Sequence, residues 1–160
     1  MEFKALRIIF KHMFKILLMG SLSIPAWAQT VQLTQGFVRA MPDTVPNTAA
    51  YFTLENHGEP QRLVSVTTDV AREAQLHTLL EEDGVVKMRQ VTGYDVPKHG
   101  TLTLRPSGDH IMLLGLKAPL QLAQKVALTL HFESGQELKI ELPVQKAEQT
   151  EANSEHHHHH

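Results

Sequence analysis

The stretch VALTLHFESGQELKIELPV, residues 126–144, constrains this chain more than any other. Both halves alternate apolar and polar residues with a period of two, the pattern of half-buried strands, and Ser134-Gly135 between them supplies turn chemistry. Val126, Leu128, Leu130 and Phe132 point one way, as do Leu138, Ile140 and Leu142, while Lys139 and Glu141 face water. His131, on the opposite parity from Phe132, reads as a surface histidine. The same grammar recurs in VQLTQGFVRA, AAYFTLENHG, QRLVSVTTDV, EAQLHTLLEEDGVVKMRQV, GTLTLRP and HIMLLGL, with Gly, Pro, Asn and Asp at the breaks. Asp83-Gly84 marks a second hairpin, turning QLHTLLEE back onto VVKMRQV. Strand-length segments at this spacing predict an all-β sandwich or barrel. Residues 41–48, MPDTVPNT, read as a connecting loop, and AREA at 71–74 as one short helical turn.

The N-terminus carries a different signal. Lys4, Arg7, Lys11 and Lys15 precede an apolar stretch from Ile16 to Ile24, and Ala26-Trp27-Ala28 follows. A basic segment, a short apolar segment and an A-x-A site predict a secretory signal peptide over residues 1–28, cleaved after Ala28. The apolar segment is too short to span a bilayer and Pro25 breaks it, so no stable membrane insertion is expected after cleavage. Loss of residues 1–28 removes four of 15 basic residues and one of 17 acids, leaving 11 Lys and Arg against 16 Asp and Glu. This mildly acidic chain offers no basic patch for nucleic acid. Residues 29–145 form one domain with a core of its own. Residues 146–160, polar and ending in five histidines, form a tail expected to be disordered, its histidines either native or an affinity tag.

The chain contains no cysteine. For an exported protein this removes disulfide staples, and it excludes zinc thiolate sites, iron–sulfur clusters, thiol nucleophiles and blue-copper thiolate centres. Any metal must be held by His, Met or carboxylate.

Four of the remaining His and Met residues fall into the spacing H-x10-M-x21-H-x-M: His77, Met88, His110 and Met112. The Asp83-Gly84 turn brings His77 and Met88 towards each other. His110 and Met112, two apart in HIMLLGL, emerge on one face while Ile111 and Leu113 emerge on the other. Three strands can thus present two imidazoles and two thioethers to one point. Thioethers suit soft Cu(I) and are poor ligands for Zn²⁺ and hard ions, whereas imidazole serves either copper oxidation state. Such a set favours Cu(I) storage and transfer over electron transport. Truncation of Ile111 or Leu113 is expected to damage the fold, and His110→Ala or Met112→Ala to leave the metal-free domain near wild-type stability. Met41 is placed outside this set.

The four-residue spacing, the preceding AAYFTLENHG and RLVSV, and GDHIMLLGLKAPL with VALTLHFESG after it resemble the periplasmic copper chaperone family called PCuAC, over about residues 36–144. The resemblance implies a cupredoxin-like Greek-key β-sandwich binding Cu(I) through His77, Met88, His110 and Met112. It also implies a periplasmic protein that delivers copper towards the copper centre of cytochrome c oxidase. The partners it implies are cytochrome oxidase subunit II and a thioredoxin-like copper protein. His156–His160, if native, match the family's second, weaker site and suit Cu(II). One departure is Ala123-Gln124, where many family members carry Gly-Asp, and it bears on a turn.

The alternative is an exported β-sandwich interaction module whose four residues merely fill space. An enzyme is disfavoured: no Ser/His/Asp spacing or phosphate loop is present, and the acids Glu81, Glu82 and Asp83 sit at a hairpin end where they read as a solvated turn.

Overall fold

The computed structural model describes residues 30–146; the expected signal peptide and the histidine run lie outside the described residues. Ten strands follow one another: β1 Val31–Arg39, β2 Asn47–Asn56, β3 Gln61–Thr67, β4 Ala71–Glu82, β5 Val85–Gln90, β6 Tyr94–Val96, β7 Thr101–Thr103, β8 His110–Leu116, β9 Lys125–Phe132 and β10 Glu137–Gln145. No helix occurs among the described residues, so the all-β expectation holds.

The strands form two layers. One sheet runs β5-β4-β8-β2-β1 with β7 added to β2, and the other runs β10-β9-β3-β6. They meet along one edge through a short parallel pairing of β1 with β10, Val38 opposite Val144 and Arg39 opposite Gln145. The non-sequential strand order, with β8 inserted between β4 and β2, is the crossover pattern of a cupredoxin-like sandwich. The inward faces supply a core that includes Phe52, Leu54, Leu63, Ile111, Leu113, Leu128, Leu130 and Leu142. Burial of this apolar surface is the main term holding the layers together.

Both hairpins fold as their turn residues dictate. Asp83 and Gly84 both lie in the left-handed region, φ 54° and 75°, which makes a type I′ turn between the paired Glu82 and Val85. The second connection is longer: Gly135 N–H donates to Phe132 O, Phe132 N–H donates to Gln136 O, and only Gly135 is left-handed, at φ 84°. In β9 and β10 the expected alternation holds, with Val126, Leu128, Leu130, Phe132, Leu138, Ile140 and Leu142 all buried. His131 is partly exposed on the outer face of this sheet, its Nε2 2.9 Å from Thr67 Oγ1 and its Nδ1 3.1 Å from Glu137 Oε1.

Two sequence expectations require correction. AREA is not a helical turn: Ala71 opens β4 and pairs with Leu116, because a sheet partner supplies backbone hydrogen bonds that one isolated helical turn cannot match. The loop expected over residues 41–48 is shorter, since Asn47 and Thr48 already belong to β2 and pair with Leu114 and Leu113.

Candidate metal centre

Register places all four candidates on one face of the larger sheet. His77 on β4 lies directly opposite His110 on β8, Gln75 opposite Met112, and Leu79 opposite Met88 on β5. Directly opposed residues share a face and side chains repeat every second position, so His77, Met88, His110 and Met112 all project outward, away from Ile111 and Leu113. The two imidazole centroids are 5.7 Å apart, with the rings inclined at 64°. Met88 lies on the edge strand, 51% exposed, whereas His110 is only 3% exposed.

The hydrogen bonds assign each imidazole its free nitrogen. His110 Nδ1 lies 2.9 Å from the carbonyl oxygen of Gly108, an acceptor only, so Nδ1 carries the proton and Nε2 keeps the lone pair. His77 Nε2 lies 2.8 Å from Gln75 Oε1, and Gln75 Nε2 donates to Glu73 Oε1 at 2.6 Å. That relay makes His77 Nε2 the donor and leaves Nδ1 as the lone-pair nitrogen. His77 Nδ1 is buried and has no hydrogen-bond partner. A buried nitrogen without a partner costs free energy that a metal ion recovers. Fixing one ring nitrogen to orient the other is how metal-binding histidines are held.

Protonation follows from the same packing. Burial first, and the neighbouring His110 second, lower the His77 pKa from the ordinary histidine value, so the ring is neutral and able to bind metal at neutral pH. Beside the imidazoles, Phe37, Ala49 and Tyr51 form a small outer cluster against which Met112 packs. Tyr51 lies 6.3 Å from the His110 ring and 5.1 Å from Phe37. Burial raises the Tyr51 pKa, opposed by Arg39, so its hydroxyl stays protonated. Among the described residues no group of three or more His, Asp or Glu could hold a metal ion. The donors that share this face are two imidazoles and two thioethers, a set that suits a soft monovalent ion.

This packing corrects one expectation. His110 is buried against Tyr51 and His77, so His110→Ala empties packed volume and leaves Gly108 O without its donor. Met41 stays apart, in a small pocket lined also by Arg39, Val45, Leu116 and Leu120 and by none of the four candidates. Gln75 and Tyr51 escaped the sequence reading. Strand parity places Gln75 on the His77 face, so it was findable; Tyr51 is brought to His110 only by the β2–β8 pairing.

Known proteins share this architecture. The apo PCuAC domain from PmoF1 aligns with a TM-score of 0.61 at 24% identity, covering 73% of this chain and 94% of that one. The fold is therefore that of a cupredoxin-like PCuAC domain. The sequence matches the LpqE-like lipoprotein family over residues 31–144, and the chain belongs to that family. A relative in Leifsonia xyli subsp. xyli, named "Putative lipoprotein Lxx21020", is 36% identical over 130 residues, 76% of this chain and 77% of its own. DR1885 from Deinococcus radiodurans, solved in solution in its apo form, is 38% identical with a TM-score of 0.60, over 76% of this chain and 82% of its own. Its Cu(I) form is similar to the same degree, with 84% of that chain covered.

Proposed function

We propose that this protein is an exported Cu(I) chaperone that holds the ion between His77, Met88, His110 and Met112 and passes it on without chemical transformation. The observation that carries this reading is His77 Nδ1, buried without a partner on a ring 5.7 Å from that of His110, on a sheet face that also presents two thioethers. The likeness to DR1885, solved with Cu(I) bound, supports the same cargo.

The geometry divides the labour among the ligands. His110 is buried and its tautomer fixed, His77 is held by the Gln75–Glu73 relay, and Met112 packs on the aromatic cluster. Met88 stands at the open edge on a strand exposed along its whole length. An acceptor's ligand therefore reaches the ion from the Met88 side, displacing a neutral, weakly held thioether before either imidazole. Because each donor in turn can be replaced by one from the acceptor, copper moves without being released into water.

On this reading the protein works in the periplasm and delivers copper towards the copper centre of cytochrome c oxidase, with subunit II and a thioredoxin-like copper protein as partners. His156–His160 would add a separate site suited to Cu(II).

The test is a Cu(I) titration of residues 29–145 against a competing chelator, with X-ray absorption of the bound metal. One ion per chain with mixed nitrogen and sulfur scattering is expected. No Cu(I) uptake would leave the interaction-module reading in its place.

A further inference from the structure

Tyr94 stands on β6, in the sheet that carries none of the four metal candidates, with its ring in the core and only 5% of the residue exposed. Its hydroxyl crosses to the other layer, 2.6 Å from the backbone oxygen of His77 and 2.8 Å from that of His110. The single phenolic proton is shared between these two carbonyls. Each belongs to a residue whose imidazole projects from the opposite face of the same sheet.

The position of this contact along the ladder matters. Pairing of β4 with β8 runs from Ala71 opposite Leu116 to His77 opposite His110, and β8 begins at His110. The histidine pair is thus the terminal rung, with no further β4–β8 pair to hold its spacing. Ladder ends fray unless something ties them. Tyr94 is itself pinned: Leu63 pairs with it on β3, and Arg62 bridges to the neighbouring Asp95 on the surface.

Resting on the Cu(I) reading above, we infer that Tyr94 is a positioning residue for the metal centre, its hydroxyl fixing the His77 and His110 backbones so that their lone-pair nitrogens are set for one ion. Neither its ring nor its oxygen touches the ion. It acts from the core side of the sheet by holding the rung from which both imidazoles spring, much as outer partners orient metal ligands elsewhere. The two layers of the sandwich are thereby coupled to the metal site through one hydroxyl.

Tyr94→Phe removes that hydroxyl and keeps the ring. The experiment uses the full chain with residues 156–160 changed from His to Ala, so that one site is read, and compares it with Tyr94→Phe and with Ile140→Val, a core change in the same sheet as Tyr94. For each, Cu(I) competition, X-ray absorption and apo thermal unfolding are measured. Tyr94→Phe is expected to weaken Cu(I) binding by about 10- to 100-fold and to reduce the nitrogen scattering relative to sulfur. Ile140→Val should keep the parent's affinity and spectrum while unfolding at a lower temperature. Affinity and spectrum unchanged in Tyr94→Phe would overturn the inference, as would equal losses of affinity in both variants, which would mean that binding merely tracks stability. Should Tyr94→Phe fail to fold, trimethylamine N-oxide restores the compact state and the same affinity and spectrum decide. A parent chain that binds no Cu(I) overturns the functional reading itself, and that result is visible before either variant is read.

Discussion

Met112 and Leu113 are neighbours on β8 that face opposite ways, so a pair of truncations separates site from scaffold. Leu113 is fully buried between the sheets. Leu113→Ala removes three heavy atoms' worth of core and leaves a cavity, which costs about 2–5 kcal/mol. For a domain of this size roughly 4 °C of Tm corresponds to each kcal/mol, so the apo midpoint should fall by roughly 8–20 °C. Met112 lies outside the main core, partly exposed and packed on Phe37, Ala49 and Tyr51. Met112→Ala also removes three heavy atoms, but from a surface cluster already in part wet, at about 0.8 kcal/mol per group fully buried. That gives about 1–2 kcal/mol, or roughly 4–8 °C. Copper reverses the order. Met112→Ala deletes a proposed ligand and should weaken Cu(I) binding by more than the roughly 10- to 100-fold that accompanies loss of an outer partner. Folded Leu113→Ala should bind nearly as the parent does. Differential scanning calorimetry of the apo forms and Cu(I) competition on the same preparations provide both numbers. If Met112→Ala lowers the midpoint as far as Leu113→Ala while its Cu(I) affinity stays at the parent's value, the thioether is packing and the assignment of this face as a metal site is wrong.

Four further outcomes are expected. Gln75→Leu releases His77 Nε2 from its fixed role and should lower Cu(I) affinity by about 10-fold or more with little change in apo stability, read by chelator competition; wild-type affinity would show that the relay is ornamental. The apo protein should lose stability as pH falls below about 6.5, because the unfolded chain protonates His77 there while burial keeps the folded ring neutral, and the loss should level off once pH is below the depressed folded value. Urea midpoints from pH 8 to 5 test this, and the same slope in His77→Gln would refute it. Ala123, at φ 65° in the turn before β9, holds a conformation that costs an L-residue about 1–2 kcal/mol, so Ala123→Gly should raise the Tm by a few degrees, offset in part by the greater freedom of glycine when unfolded. Zn²⁺ should bind residues 29–145 far more weakly than Cu(I), and comparable affinities in isothermal titration would argue against thioether ligation.

Parity along a strand is a local property, and it was legible without any structure. HIMLLGL already separated His110 and Met112 from Ile111 and Leu113, and Asp83-Gly84 already required a tight hairpin, because both follow from side chains alternating across a pleat and from residues that tolerate positive φ. The absence of cysteine likewise narrowed the available metal chemistry before any fold was known. Pairing between distant strands is not local. That β8 lies between β4 and β2, that His77 meets His110 on the last rung, and that Tyr51 backs the imidazole all depend on register across segments dozens of residues apart. The burial of His110 is of the same kind: its neighbours in sequence leave it half-open, and only the strand beside it and the aromatic ring from β2 close over it. Alanine-rich AREA misled for a related reason, since the sheet edge offered by β8 outweighs a weak helical preference. Tyr94 shows the limit most sharply. Nothing in its own segment marks it, because the two carbonyls it ties belong to the opposite layer, and only the packing of sheet on sheet brings the hydroxyl to them.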